Sequence, residues 1–175
     1  AFYGAPERLA KQTGFWSFAK SNLWIYDAFV SIRGVLILAF YHQVLTSVSL
    51  KRLIKIGVAL LAIFGVLNYF FIQGPHHINN YTIIIANAFI VFLSLAFFRQ
   101  LLKNSTIIKL KTHPVFWISL GNFIYYSGTL PFFVLFDYLL TYQMPLAISY
   151  LYINDALNIA LYSFYLIAFL CRPQK

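Results

Sequence analysis

The stretch LAISYLYINDALNIALYSFYLIAFLC, residues 146–171, decides the fold class of this chain. It consists mostly of Leu, Ile, Ala, Phe and Tyr, and about 20 such residues are enough for a helix to cross a bilayer. The stretch therefore predicts a transmembrane helix. Asp155 is its one acidic residue, and a carboxylate at that depth is costly without a partner.

The composition of the whole chain agrees with a membrane protein. The 175 residues are 61% hydrophobic and 10% charged, with a mean hydropathy of +0.75, whereas a soluble domain is about 25% charged. The formal charge is +9, but the basic residues fall mostly between apolar segments, as membrane orientation requires. We therefore expect membrane lipids as partners and no nucleic acid.

The apolar segments predict an all-α transmembrane helical bundle of one domain, residues 23–171. Its five spans cover about residues 23–45, 53–73, 81–102, 114–140 and 146–171, each near the length that a bilayer needs. Residues 1–22 combine an aromatic cluster with four charges, which predicts an interfacial segment, and residues 172–175 are a cytoplasmic tail. Pro114 suits the first turn of a helix, and Pro131 predicts a kink in the fourth span.

Basic residues predict an N-out, C-in orientation of these spans. Three basic residues, Arg8, Lys11 and Lys20, precede the first span. Nine others mark the opposite ends of the helices, which the positive-inside rule assigns to the cytoplasm; they are Lys51, Arg52, Lys55, Arg99, Lys103, Lys109, Lys111, Arg172 and Lys175. Two more spans upstream would give seven spans with the same orientation. In that case these five spans would be the last five of the seven.

Two charges are predicted at the same depth in the bundle. At about 1.5 Å per residue, Arg33 lies roughly 15 Å and Asp155 roughly 14 Å from the outer starts of their helices. An unpaired charge there costs at least ~2.5 kcal/mol, so we predict an ion pair between them. We give equal weight to two roles for this pair: packing, and binding of a proton or ligand. In a third interpretation, Arg33 reaches outward to Asp27.

Polar residues on one face of each helix extend this hypothesis to a network in the interior of the bundle. Asn80, Asn87 and Ser94 recur at intervals of seven, and Tyr152, Asp155, Asn158 and Tyr162 follow helical spacing. Hydrogen bonding between helices is the more frequent role for the Asn side chains. The predicted intramembrane polar network comprises Arg33, Asp155, Asn158, Asn87, Asn122, Tyr126, Tyr152 and Tyr162.

Motifs for catalysis, metal binding and cofactor binding are missing from the sequence. It contains no Gly-rich phosphate loop, HExxH, GxSxG or Cys pair. Ser127-Gly128 resembles an intramembrane protease only superficially, and adjacent His76 and His77 rarely bind one ion. His42 and His113 would be the residues of a lipid-modifying enzyme or a haem site, both less favoured. We expect no enzyme, no cofactor and no metal.

Three segments carry a resemblance to a known group. They are HPVFWISLGNFIYYSGTLPFFVLFDYLL at 113–140, YINDALNIALYSFYLIAFLCRP at 152–173 and FFIQGPHHINNYT at 70–82. They resemble small uncharacterised multi-pass inner-membrane proteins of Bacteroidetes-type bacteria, which usually carry two more helices upstream. The layout also looks like the membrane part of bacterial seven-helix sensors. The resemblance implies a bacterial inner-membrane location, without catalytic residues to carry over.

Two functions from different classes follow from these observations. The first is a non-enzymatic sensor-like or accessory subunit that has other membrane protein subunits as partners. The second is a small transporter or proton-coupled carrier that uses Arg33 and Asp155, although carriers often show internal repeats and broken helices and only Pro131 suggests a break here.

Overall fold

A computed structural model describes residues 23–72, 80–103 and 113–171 and shows an all-α bundle. Its helices are α1 (Leu23–Val44), α2 (Val48–Leu67, continued by a π-helical turn over Asn68–Ile72), α3 (Asn80–Lys103), α4 (Pro114–Tyr142) and α5 (Met144–Leu170). The predicted interfacial segment, the His76-His77 turn, most of the basic link before His113 and the predicted tail lie outside the described residues.

Length and composition make four of these helices able to cross a membrane. The apolar spans are Val48–Ile72, Asn80–Lys103, Pro114–Leu135 and Pro145–Leu170, with a shorter apolar stretch at Phe29–Val44 in α1. The helical, multi-pass character predicted from the sequence is thus confirmed. The chain is a multi-pass membrane protein with a helical bundle.

Two helix boundaries differ from the predicted ones for local reasons. α2 begins at Val48, ahead of the predicted start at about residue 53, because the Ser47 hydroxyl accepts a 3.5 Å hydrogen bond from the Leu50 N–H and caps the first turn. Only Gln143 separates α4 from α5. Pro145 lies in the first turn of α5, where the missing N–H of proline costs no hydrogen bond.

Contacts between side chains show an up-and-down arrangement of the helices. On α4 and α5, the rings of Trp117 and Phe164 stack at 6.0 Å and those of Phe132 and Tyr150 at 5.3 Å. Residue numbers rise on one helix as they fall on the other, so the two helices are antiparallel. Neighbours α3 and α4 are antiparallel by the same test, since Asn87 contacts Thr129 and Phe98 contacts Phe116.

Most of the core lies where α1, α3, α4 and α5 meet. α4 and α5 share the most extensive packing, followed by α3 and α4. Close approach of α4 and α5 depends on Gly121, where an added Cβ would lie 2.9 Å from Phe164 Cβ. The main core cluster is Ile37, Leu38, Tyr41, Leu45, Ile54, Ile90, Leu93, Phe97, Tyr125, Tyr126 and Leu161.

Candidate functional site

A chain of hydrogen bonds joins four helices inside this core. The Tyr165 hydroxyl of α5 donates to Asn122 Oδ1 of α4 at 2.6 Å, and Asn122 Nδ2 donates to the Tyr41 hydroxyl of α1 at 3.4 Å. Tyr41 and Ser94 of α3 are 2.7 Å apart, and Ser94 Oγ donates to the Ile90 carbonyl at 2.9 Å. Because the Ser94 proton goes to Ile90, Tyr41 is the donor to Ser94. We call Tyr165, Asn122, Tyr41 and Ser94 the interior hydrogen-bond chain.

Sequence reasoning identified part of this chain. Asn122 was a predicted site residue and Ser94 belonged to the seven-residue polar repeat of α3, whereas Tyr41 and Tyr165 were missed. Tyr165 follows the predicted Asn158 by seven residues, so the same spacing rule could have found it. Tyr41 is fully buried, but the sequence around it is apolar and aromatic and gives no comparable signal.

Two other predicted residues, Asn87 and Tyr126, also lie in the interior. Asn87 is buried on α3 and donates to Thr129 Oγ1 of α4 at 3.4 Å. Tyr126 is buried on α4. Its hydroxyl has no hydrogen-bond partner among the residues that the structure describes. The interior therefore holds a polar group, the Tyr126 hydroxyl, whose hydrogen bond is not made by the described residues.

Arg33 lies at the edge of the interior, against two aromatic rings of α4. Its guanidinium carbon is 5.1 Å from the centre of the Tyr125 ring and 5.6 Å from that of Tyr126. Its two terminal nitrogens donate to the Tyr125 hydroxyl at 3.4 and 3.5 Å. Aromatic faces attract a guanidinium through their quadrupoles, so α4 stabilises this charge. The side chain of Asp27, the other suggested partner, lies outside the described side chains.

Asp155 is not brought to Arg33. It lies on an exposed face of α5, and no ion pair joins it to Arg33 among the side chains that the structure describes. Tyr152 and Tyr162 are also exposed, at 72% and 55%. The ion pair and a single interior network are therefore replaced by two separate sets of residues: Asn87, Asn122 and Tyr126 inside with Arg33 at their edge, and Tyr152, Asp155 and Tyr162 outside.

Helix geometry explains why these residues of α5 separate. Residues 154, 157, 158, 161, 164, 165 and 168 of α5 are all buried or half-buried, which is one face of a helix at spacings of three and four. Asn158 belongs to that face, but its amide donates to the Asn154 carbonyl within α5 at 3.1 Å. Asp155 falls outside this face together with Tyr152 and Tyr162, so these three side chains point away from the bundle.

The Ser127 hydroxyl, considered above for catalysis, makes a hydrogen bond within its own helix. The Ser127 hydroxyl donates to the Phe123 carbonyl of its own helix at 2.6 Å, and such back-bonding is common for Ser in helices. Within the described ranges, no group of three or more His, Cys, Asp or Glu side chains is placed to hold a metal.

An apolar groove of about 480 Å³ lies between α2 and α3. Its walls include Leu53, Ile56, Leu60, Phe64 and Phe89. These side chains offer contact to a lipid acyl chain but no group for catalysis.

Comparisons of this chain with protein-family models, curated proteins and solved structures found no match.

Proposed function

We propose that this chain is a non-enzymatic accessory or sensor-like subunit of a larger membrane assembly. The observation that carries the proposal is Asp155, an acidic side chain on the exposed surface of a membrane-spanning helix. A carboxylate facing lipid costs at least ~2.5 kcal/mol. A neighbouring membrane protein would remove that cost by covering Asp155 with polar groups.

The interior supports the same proposal. Tyr165, Asn122, Tyr41 and Ser94 bond to one another across four helices, as in the hydrogen bonding that holds transmembrane helices together. A structural interior beside an exposed carboxylate on α5 is the arrangement expected of a subunit. A bacterial inner-membrane location is part of the proposal, and its support is the sequence resemblance and the distribution of basic residues.

Site-specific photo-crosslinking in the native membrane tests this function. A photoreactive amino acid replaces Ile159 on the exposed face of α5, or Leu60 on the exposed face of α2; the two side chains are 69% and 60% exposed. We expect one protein, identified by mass spectrometry and the same in replicate preparations, to be crosslinked from Ile159 but not from Leu60. Lipid adducts alone at both positions would contradict the proposal.

A small carrier is the second candidate, and one observation favours it. The buried Tyr126 hydroxyl lacks a partner among the described residues, and the Arg33 guanidinium lies over the ring of the same residue. Such groups are suited to hold a water or a small anion. Proton flux in proteoliposomes that is lost in Arg33→Gln and kept in Asp155→Asn would support a proton-coupled carrier, and absence of proton flux would exclude proton coupling.

A further inference from the structure

The exposed face of α5 carries a regular seam for helix packing. Tyr152, Asp155, Ile159, Tyr162, Leu166 and Phe169 are separated by three and four residues in alternation, and all six are exposed. This is the spacing of the a and d positions by which two helices pack in a left-handed coiled coil. We call these six residues the α5 seam.

Asp155 requires a hydrogen-bond donor from whatever helix packs on this seam. It is eleven residues from Met144 and fifteen from Leu170, or roughly 16 and 22 Å from the two ends of α5. Lys and Arg near the ends of a membrane helix extend their charged groups to the interface along flexible stems, but an Asp side chain at this depth is too short to do so. Its carboxylate therefore needs a donor that lies within the membrane.

Small side chains beside the seam allow a second backbone to approach. Ser149, Ala156 and Ser163 recur at intervals of seven and are exposed. The Ser149 and Ser163 hydroxyls donate to the Pro145 and Ile159 carbonyls of α5 itself, at 3.1 and 2.8 Å. Small residues at this position are typical of packed transmembrane helices.

α2 provides a comparison within the same molecule. Leu53, Ile56, Leu60, Ile63, Leu67 and Phe70 have the same alternating spacing and are also exposed. All six are apolar, and lipid tails cover an apolar helix as well as another helix does. The α5 seam differs from these α2 residues by the Asp155 carboxylate. Lipid tails do not stabilise a carboxylate, so the α5 seam requires a protein partner.

We infer that the α5 seam binds a transmembrane helix of another protein, with an Arg or Lys side chain of that helix at the level of Asp155. The inference rests on the proposed function and names the chemistry of the partner. A second copy of this chain is less suited, because two α5 seams related by a two-fold axis would place like charges together. The Arg33 side chain is already held against Tyr125 and Tyr126.

Energy transfer in lipid vesicles tests the inference with a defined probe. The protein carries a donor dye on Cys171, its single cysteine, and the probe is a designed Leu/Ala transmembrane helix with one central Arg and an acceptor dye. The same helix with a central Leu is the control probe. We expect the Arg helix to bind about tenfold more tightly than the Leu helix.

Two variants locate the binding. Asp155→Asn keeps the size of the side chain but removes its charge. We expect this variant to bind the Arg helix with the same affinity as the Leu helix. Leu60→Asn makes a polar change at a comparable position of α2 and should leave binding unchanged.

Three outcomes would overturn the inference. They are equal binding of both probes, equal binding by Asp155→Asn, and self-association of the protein that excludes the probes. If photo-crosslinking from Ile159 finds a partner while the Arg helix does not bind, the subunit role stands and recognition through charge is wrong. If the crosslinking also fails, the proposed function is wrong as well.

Discussion

The Tyr165 hydroxyl donates a 2.6 Å hydrogen bond to Asn122 Oδ1 and joins α5 to α4 in the buried core. Asn122 also donates to Tyr41, so one amide connects three helices. A polar group in an apolar surrounding is costly when its partner is removed. The orientation of α5, and with it the outward direction of Asp155, depends on this contact.

The first prediction concerns that amide. Asn122→Leu should lower the free energy of unfolding by about 1–2 kcal/mol, because it leaves the Tyr165 hydroxyl without an acceptor and Tyr41 without a donor. Unfolding of the purified protein in mixed detergent micelles measures the change. Asn158→Leu is the control, since the Asn158 amide bonds only within α5 in the described contacts, and it should cost less. Equal losses would show that the interior hydrogen-bond chain has no special weight.

The second prediction concerns close packing of α4 against α5. An added Cβ at Gly121 would lie 2.9 Å from Phe164 Cβ, an atom fixed to the backbone, whereas at Gly128 the nearest atom is the flexible Leu157 Cδ1 at 2.9 Å. Gly121→Ala should therefore cost about 1–3 kcal/mol and Gly128→Ala less. Gly34→Ala is the control, because its Cβ would meet nothing within 4 Å. A Gly121→Ala protein as stable as the wild type, in the same micelle assay, would contradict the packing described.

The third prediction distinguishes the charge of Arg33 from its shape. Arg33→Lys keeps the charge but loses the planar group that lies over Tyr125 and Tyr126. We expect a loss of about 0.5–2 kcal/mol in the free energy of unfolding. Tyr125→Phe, which keeps the ring and removes only the hydroxyl acceptor, should lose less. If Arg33→Lys is fully stable while Tyr125→Phe is not, the hydrogen bond and not the ring holds Arg33.

The sequence predicted the helices well and the partners of the polar residues poorly. Long apolar runs mark a membrane helix directly, and the observed ends of α3 differ from the predicted ones by a residue on each side. Buried Asn80, Asn87 and Ser94 follow from one seven-residue repeat. Depth along a helix axis, however, is only one coordinate. Arg33 and Asp155 share a predicted depth, but the rotation of α5 is set by contacts such as Tyr165 with Asn122, which spacing alone does not specify.

The fourth prediction concerns Asp155 in the isolated protein. Asp155→Leu should leave the free energy of unfolding in detergent unchanged or raise it, because the carboxylate is exposed and an apolar side chain suits that surface better. Asn122→Leu, a polar-to-apolar change of similar size in the core, should lower it. A marked loss for Asp155→Leu would indicate that Asp155 has a partner within this chain.

Lipid accessibility along α5 tests the central claim, which is that Asp155 faces away from the bundle. Spin labels are placed one at a time on residues 152–169 in a Cys171→Ser background, and oxygen accessibility is measured in lipid nanodiscs. The account predicts maxima at 152, 155, 159, 162, 166 and 169, and minima at 154, 158, 161, 165 and 168. A minimum at 155, together with a maximum at 158, would contradict it and return Asp155 to the interior.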